Sequence, residues 1–462
     1  MRTVFTAIAV LLMLWGQLRD ANAQESSILS AYIDEALHAN DAVRQREQLL
    51  VKAHAAEAEA EGMLYPRADV LASYLRAGGG RTIDMPIGDL LNPAYAALNQ
   101  LTNSNRFPTL QNMSVQLNPD NFYDAKVRIS APLLNMDVRY NRSIKERLAD
   151  VASFDVNVVK RELVKDVKTA YFRWMQSQDA VGILQSALVL LDENIRVTRS
   201  LLNNGAGNRT ALVRATNEAE KIRSELISAE ETKANAAAAF NVLLNRPLDA
   251  AIVADTMLAR TTMQTAEDSG RSIAGDATAA VERREETSAL SSSVQALDEA
   301  RGLAGSHWIP KLSGFVDLGS QGFDFRFGNK TRYYMAGLSF EWNLFSAFSN
   351  SQKVRQTEAD RAALISQQGV VKNQLALQYY ATARSLASAR ARLASSLSQT
   401  DASKRFYDDM QLLYREGKAI YIELLDAQNE FMTARLRESL ARMDVFIRTA
   451  ELERASASYP LH

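Results

Sequence analysis

The chain has no cysteine, and that absence removes several classes of protein at once. A disulfide framework, a thiolate zinc site and a lipid-modified N-terminal cysteine are all excluded. An excess of one charge is also missing. Lys and Arg number 53 and Asp and Glu 54, a formal net charge of −1, which argues against an electrostatic nucleic-acid binder. The four histidines, His38, His54, His307 and His462, are scattered without metal-ligand spacing. Glu416-Gly417-Lys418-Ala419 lacks the upstream glycine and the Ser or Thr of a phosphate-binding loop. There is no Gly-x-Ser-x-Gly elbow and no convincing pair of catalytic acids. Neither enzymatic activity nor a cofactor is expected.

Long apolar runs are scarce too. The N-terminus carries one: Arg2, an uncharged stretch from Val4 to Trp15, then Ala21-Asn22-Ala23, a small-x-small cleavage site. The run is shorter than the roughly 20 residues of a membrane-spanning helix. Residues 1–23 are therefore read as an export signal, with the mature chain starting at Gln24. Nine prolines and twenty glycines are few for 462 residues, and the wealth of Ala, Leu, Gln, Arg and Glu predicts a largely helical chain.

What the chain does contain, it contains twice. Met63-Leu64-Tyr65-Pro66-Arg67 returns as His307-Trp308-Ile309-Pro310-Lys311. Gly205, Leu212 and Ala215-Thr216-Asn217-Glu218 return at one constant offset as Gly417, Leu424 and Ala427-Gln428-Asn429-Glu430. The first copy spans residues 24–247: a helix, strands near 66–77 and 123–134, a long helix, a tip at Gly205 and a further helix. The second spans 277–462, with strands near 310–327 and 331–345 and a tip at Gly417. Residues 248–276 lie between them. A period this long is a duplicated building block, not a short-repeat solenoid.

Residues 138–203 and 347–415 hold no proline and one glycine each, Gly182 and Gly369. Each would extend on the order of 100 Å as a helix. Such lengths call for a coiled-coil-like assembly. Shorter helices are predicted at 28–63, 208–244, 277–306 and 418–457. In the last, Leu436, Leu440, Met443 and Ile447 form a seam for a partner helix.

Between the helices the period falls to two. Tyr123, Ala125, Val127, Ile129 and Ala131 alternate with Asp124, Lys126, Arg128 and Ser130; Tyr334, Ala336, Leu338, Phe340 and Trp342 alternate with polar or small partners through Glu341 and Asn343. Phe323, Phe325 and Phe327 extend the pattern. Alternation by itself is most common in soluble antiparallel sheets. Here the strands are bilayer-length, aromatics sit near their ends, and the chain is exported, so an outer membrane is the expected setting. Four strands cannot close a barrel, and an open edge cannot persist in hydrocarbon. Several chains must then share one barrel. Three would supply twelve strands around a lumen lined by Asp124, Lys126, Arg128, Glu341 and Asn343. Residues 78–120, rich in Asn, Pro and Gly, read as an external loop.

The chain resembles the TolC-like outer-membrane efflux channels over nearly all of its mature length. The likeness is carried by the two-copy order and by local strings: Ala36-Leu37-His38-Ala39-Asn40-Asp41, Leu64-Tyr65-Pro66, Trp308-Ile309-Pro310, Ala131-Pro132-Leu133-Leu134, Trp342-Asn343-Leu344-Phe345 and Leu424-Leu425-Asp426-Ala427-Gln428. The resemblance implies a mainly α fold with membrane β: a homotrimeric 12-stranded barrel in the outer membrane, continued by a 12-helix tunnel across the periplasm. It implies a passive exit duct of a tripartite efflux pump or type I secretion system. Its partners would be a periplasmic adaptor, an inner-membrane pump of undetermined class and outer-membrane lipid. Residues 248–276 would join an equatorial belt.

Glu423, Asp426 and Glu430 share one helix face, in isolation a solvated one. The resemblance places Glu423 and Asp426 at the periplasmic entrance, where three copies would make two carboxylate rings that favour cations. Gly205 and Gly417 suit left-handed turns, and the resemblance makes them adaptor-docking tips. Tyr414 and Thr210 match partners in the family's entrance latch. However, Ala211 stands where an acid is common and Ala419 where an arginine is common. Arg209, Arg214, Arg415 and Lys418 are alternative latch residues among which the sequence does not choose. The competing reading is an exported coiled-coil scaffold or adaptor with a small soluble sheet, which would not need outward Phe, Tyr and Trp.

Overall fold

The computed structural model describes residues 27–205, 208–255 and 277–461. The expected export signal and most of the segment between the copies lie outside the described residues. In chain order the elements are α1 (Ser27–Ala39), α2 (Asp41–Gly62), β1 (Arg67–Leu75), β2 (Thr82–Met85), α3 (Ile87–Thr102), β3 (Met113–Gln116), β4 (Phe122–Leu134) and α4 (Met136–Asn203). They continue with α5 (Arg209–Leu243), α6 (Ala277–Glu282), α7 (Glu285–Gly305), a 3-10 turn at Ser306–Trp308, β5 (Lys311–Phe323), β6 (Arg332–Glu341), α8 (Ser349–Arg415) and α9 (Tyr421–Ser456). The chain divides into two compact units: one of residues 55–145 and 297–359, the other drawn from residues up to 54, 146–296 and 360 onward.

The first unit is built on a four-stranded antiparallel sheet of order β1-β4-β5-β6. The register sets Asp69, Arg128, Asp317 and Met335 opposite one another on one face, and Val70, Val127, Leu318 and Tyr334 on the other. The second face is apolar and open, with Val70 80% and Tyr334 82% exposed. Among the described residues both outer strands, β1 and β6, have a partner on one side only.

Three expectations need correction here. The Phe323–Phe325–Phe327 alternation is not strand throughout. β5 stops at Phe323, Asp324 and Phe325 take positive φ of 53° and 51°, and Asp324 N–H donates to Asn121 O at 2.9 Å. This turn folds Phe325 back onto Tyr74 and Tyr123, with ring centroids at 5.1 and 5.7 Å. β6 ends at Glu341, so Asn343 lies beyond the ladder. Glu341 pairs with Lys311, the first residue of β5, and Pro310 before it has no N–H with which to extend the pairing. The stretch 78–120 is no plain loop: it holds the β2–β3 hairpin and the helix α3.

In the second unit the long helices supply the core. Leu29, Tyr32 and Ile33 of α1 pack with Val167, Tyr171 and Trp174 of α4, Phe240 of α5 and Met443 of α9. Each such side chain stabilises by roughly 1.5–3 kcal/mol on burial. Tyr171 O–H donates to Val253 O at 3.0 Å and accepts from Asp255 N–H at 2.9 Å, and burial pushes its pKa up to about 12. The predicted 28–63 helix is two helices: Asn40 Oδ1 accepts from Ala42 N–H at 2.9 Å and so caps α2, while its Nδ2 donates to Leu243 O at 2.9 Å. The predicted 277–306 helix is likewise interrupted, between α6 and α7. Of the α9 seam, Met443 and Ile447 are buried and Leu440 is half exposed.

Charged side chains in this unit are tied together. Arg454 donates to Glu162 at 3.0 Å and to Glu286 at 2.7 Å, Arg284 to Glu286 at 2.7 Å, Arg161 to Glu285 at 2.6 Å and Lys168 to Glu453 at 2.7 Å. Burial would raise the Glu286 carboxyl, but the guanidinium groups of Arg284 and Arg454 outweigh it and hold the pKa at about 2. Among the described residues no helix is long and apolar enough to cross a membrane.

Candidate functional site

Two places concentrate the residues singled out by the sequence: the helix-hairpin tips and the polar face of the sheet. At the tips, α4 ends at Asn203 and Gly205 follows with φ +75°. Asn208 then caps α5, its Oδ1 accepting from Thr210 N–H at 2.8 Å. α8 ends at Arg415, Gly417 takes φ +69°, and Lys418 N–H returns to Leu413 O at 2.8 Å, closing the last turn. A Cβ at either glycine would meet nothing within 4 Å, so only the left-handed backbone demands glycine there.

α9 begins beside this turn. The Glu423 carboxylate accepts from Ile420 N–H at 3.1 Å, fixing the first turn. Glu423, Asp426 and Glu430 are exposed on one side, while Leu424, Leu425 and Ala427 are buried on the other. Among the described residues none of the three acids has a salt-bridge partner.

Tyr414 is half buried and meets Tyr421 edge-to-face at 5.8 Å. Thr210 is exposed, and no hydrogen bond joins it to Tyr414 among the described residues. Ala211 packs into an apolar cluster with Ala215, Ile222 and Tyr421. Lys418 pairs with its neighbour Glu416 at 2.7 Å. The polar links that do join the hairpins were not foreseen. Asn194 of α4 donates to Gln428 of α9 at 2.9 Å. Glu193 is held below the usual carboxylate range by its hydrogen bond to Arg196, with a smaller contribution from Arg415 of the other hairpin. Among the described residues the buried Tyr421 hydroxyl has no hydrogen-bond partner, and burial lifts its pKa to about 12. Only periodicity read against the tip glycines could have marked Tyr421 as buried.

On the sheet, three of the five predicted lumen residues come together. Arg128 grips the fully buried Asp317 with two bonds of 2.7 Å and lies over the Phe315 ring, 5.0 Å from its centroid. Lys126 is 3.3 Å from Asp124 and 3.8 Å from Asp317, and Tyr333 O–H donates to Asp124 at 2.8 Å. Asp317 and Tyr333 complete the set; they lie in strands where the alternation alone gave no charge partner. Glu341 and Asn343 are outside this cluster.

Rings gather at both ends of the strands. Phe325 and Phe327 pack around Tyr74 and Tyr123 at one end; Trp308, Trp342, Phe345 and Phe348 are exposed at the end from which α4 and α8 depart. An open apolar band between aromatic rims, backed by a charged face, is the surface of a transmembrane β-strand array. Together with the very long helices it is the pattern of an outer-membrane channel protein. The model of the outer membrane efflux protein family matches residues 32–246 and 278–458, and the chain belongs to that family. It is a transport protein of the outer membrane, with its helical part in the periplasm.

Solved structures agree in fold. The outer-membrane channel OprN is 18% identical, with 94% of this chain and 90% of that one covered and a TM-score of 0.72. VceC of Vibrio cholerae is 14% identical, covers 93% and 95%, and scores 0.71. The MtrE outer-membrane channel of Neisseria gonorrhoeae, in its open state, is 18% identical, covers 93% and 88%, and scores 0.74. No curated protein matches the chain.

Proposed function

We propose that three copies of this chain close one 12-stranded barrel in the outer membrane and form a passive exit duct. The observation that carries this reading is the sheet: its apolar face is open, its polar face is charged but internally neutralised, and β1 and β6 are both unpaired on one side. Unpaired backbone groups in hydrocarbon each cost several kcal/mol, so the two edges need partners. Pairing β1 of one copy with β6 of the next closes the ring and buries both. A soluble scaffold would leave that apolar face in water, which disfavours the alternative.

The duct receives its cargo from a periplasmic adaptor and an inner-membrane pump, in tripartite efflux or type I secretion. The adaptor docks around Gly205 and Gly417. Glu423 and Asp426, exposed and without a salt-bridge partner among the described residues, form two carboxylate rings at the entrance and make it prefer cations. Tyr414 and Thr210 belong to the gate, with the Asn194–Gln428 hydrogen bond linking the hairpins where Ala211 and Ala419 leave the usual latch out.

Single-channel current in a planar bilayer tests this, with wild type beside Glu423→Gln/Asp426→Gln. Small, cation-preferring openings that lose their preference in the double variant are expected. A conducting wild type with an indifferent variant would discard the rings and keep the duct. No current from folded, oligomeric protein would sink the duct itself.

A further inference from the structure

The segment between β1 and β4 is a built structure with one unoccupied side. Two asparagines seven residues apart clamp α3 to the returning chain. Asn92 Nδ2 donates to Leu110 O at 2.9 Å while its Oδ1 accepts from Leu110 N–H at 2.7 Å. Asn99 does the same with Phe107, at 2.8 and 3.1 Å. Asp89 and Asn112 exchange bonds of 3.1 and 2.8 Å, and Gly88 packs so closely on Leu110 O that a Cβ would lie 2.4 Å from it. At the base, Ala77 N–H donates to Asp120 at 3.0 Å and Leu117 N–H to Arg81 O at 2.9 Å.

The clamp fixes which side of α3 faces outward. Residues seven apart lie on one helix side, so Asn92 and Asn99 define the inner face. Leu90, Ala94, Ala97 and Leu101, stepping by 4, 3 and 4, define the opposite one. Leu90 is 77% and Leu101 82% exposed. The helix has no basic residue, and its only acid, Asp89, is the one engaged by Asn112. Helices that lie on lipid headgroups present Lys and Arg, which this one lacks. An uncharged stripe does, however, meet its own copy without repulsion, and Ala94 and Ala97 at its centre allow close helix approach.

We propose that the α3 stripes of neighbouring copies pack on one another and narrow the outer mouth of the duct. The inference rests on the shared-barrel reading above. β1 is an open edge that runs at Leu75 directly into this segment, so pairing that edge with a neighbour's β6 carries α3 to the neighbour. The segment also leaves the sheet at the end opposite the departure of α4, the end that faces outward when the helices are periplasmic.

A cysteine-free chain makes the test direct. Ala97→Cys and Leu101→Cys place thiols on the stripe; Ala96→Cys, off the stripe, is the control. Mild oxidation of the full-length channel should convert the two stripe variants, and not the control, to covalent dimers on a non-reducing gel. Such a bond requires Cα atoms within about 7 Å. Channel current should fall on oxidation and return with dithiothreitol. A trimer by native mass spectrometry in which neither stripe variant crosslinks overturns the proposal and leaves the shared barrel standing. Absence of the wild-type trimer overturns the shared barrel instead. Shielding of Ala97→Cys from maleimide in lipopolysaccharide vesicles but not in detergent assigns the stripe to lipid and overturns the proposal as well.

Discussion

The acids of the sheet and the acids of the hairpin tip have the same chemistry and opposite surroundings. Asp317 and Asp124 are met by Arg128, Lys126 and Tyr333, so their charge is spent inside the protein. Glu423 and Asp426 project from an exposed face, and among the described residues neither has a salt-bridge partner. A paired carboxylate organises the fold and offers little to a passing ion. An unpaired one costs only a few tenths of a kcal/mol in like-charge repulsion and keeps its field for whatever approaches. The difference separates charges that build the duct from charges that could act on its contents.

The comparison breaks most visibly if Asp317 is removed. Asp317→Ala leaves Arg128 and Lys126 side by side on the polar face of β4 without their shared anion. Loss of the oligomer band on semi-native gels and a lower melting temperature are expected. Asp426→Gln should leave both unchanged. Equal behaviour of the two variants would erase the distinction between structural and available acids.

Glu286 sharpens the same point in the helical unit. Its pKa lies at about 2 against an ordinary 4.5, so its pairing contributes stability fully above about pH 4.5. That contribution, on the order of 3 kcal/mol, is lost as pH falls toward 2. Glu286→Gln should therefore melt lower at neutral pH and show a shallower acid limb in helix content followed by circular dichroism. A variant with the wild-type acid limb would assign the acid sensitivity elsewhere.

How much of this was legible in the sequence depended on whether the pattern was local. Alternation in β4 and the proline-free runs of α4 and α8 marked their elements, since periodicity needs only neighbours along the chain. The tip glycines were visible for the same reason, as was the shared face of Glu423 and Asp426. Partners across the sheet were not. Nothing near Asp317 in sequence announces Arg128, 189 positions away, and register is decided by pairing rather than by composition. The Phe323–Phe325–Phe327 run misled because alternating aromatics suit a strand and a folded-back turn alike. The Asn, Pro and Gly content of 78–120 signalled a loop, yet two of its asparagines, Asn92 and Asn99, tie the helix α3 to the returning chain.

A smaller effect is expected at the turn itself. Gly417→Val would hold a β-branched residue at φ +69° at a cost of about 1–2 kcal/mol, with no clash because the space is open. The proposed trimer should survive while crosslinking to the proposed adaptor falls. If the trimer is lost instead, Gly417 is a folding requirement and not a docking surface, and the tip joins the structural side of the comparison.

The smallest effect concerns a polar group that is neither paired nor exposed. Tyr421 starts α9 two residues before Glu423, with its ring among Leu184, Ala215 and Ile222 and its hydroxyl without a partner among the described residues. A buried donor left unmet costs about 1–3 kcal/mol, so natural packing offers no reason to keep it. Tyr421→Phe keeps the ring and its edge-to-face contact with Tyr414 while deleting the hydroxyl. Its melting temperature should equal or slightly exceed that of wild type. If the hydroxyl serves an open conformation, where the tip moves and a neighbour such as Glu218 comes within reach, the same variant should open less often in bilayer recordings. A stabilised chain with altered gating would place Tyr421 with the available charges of the tip; a stabilised chain with unchanged gating would leave it as packing alone.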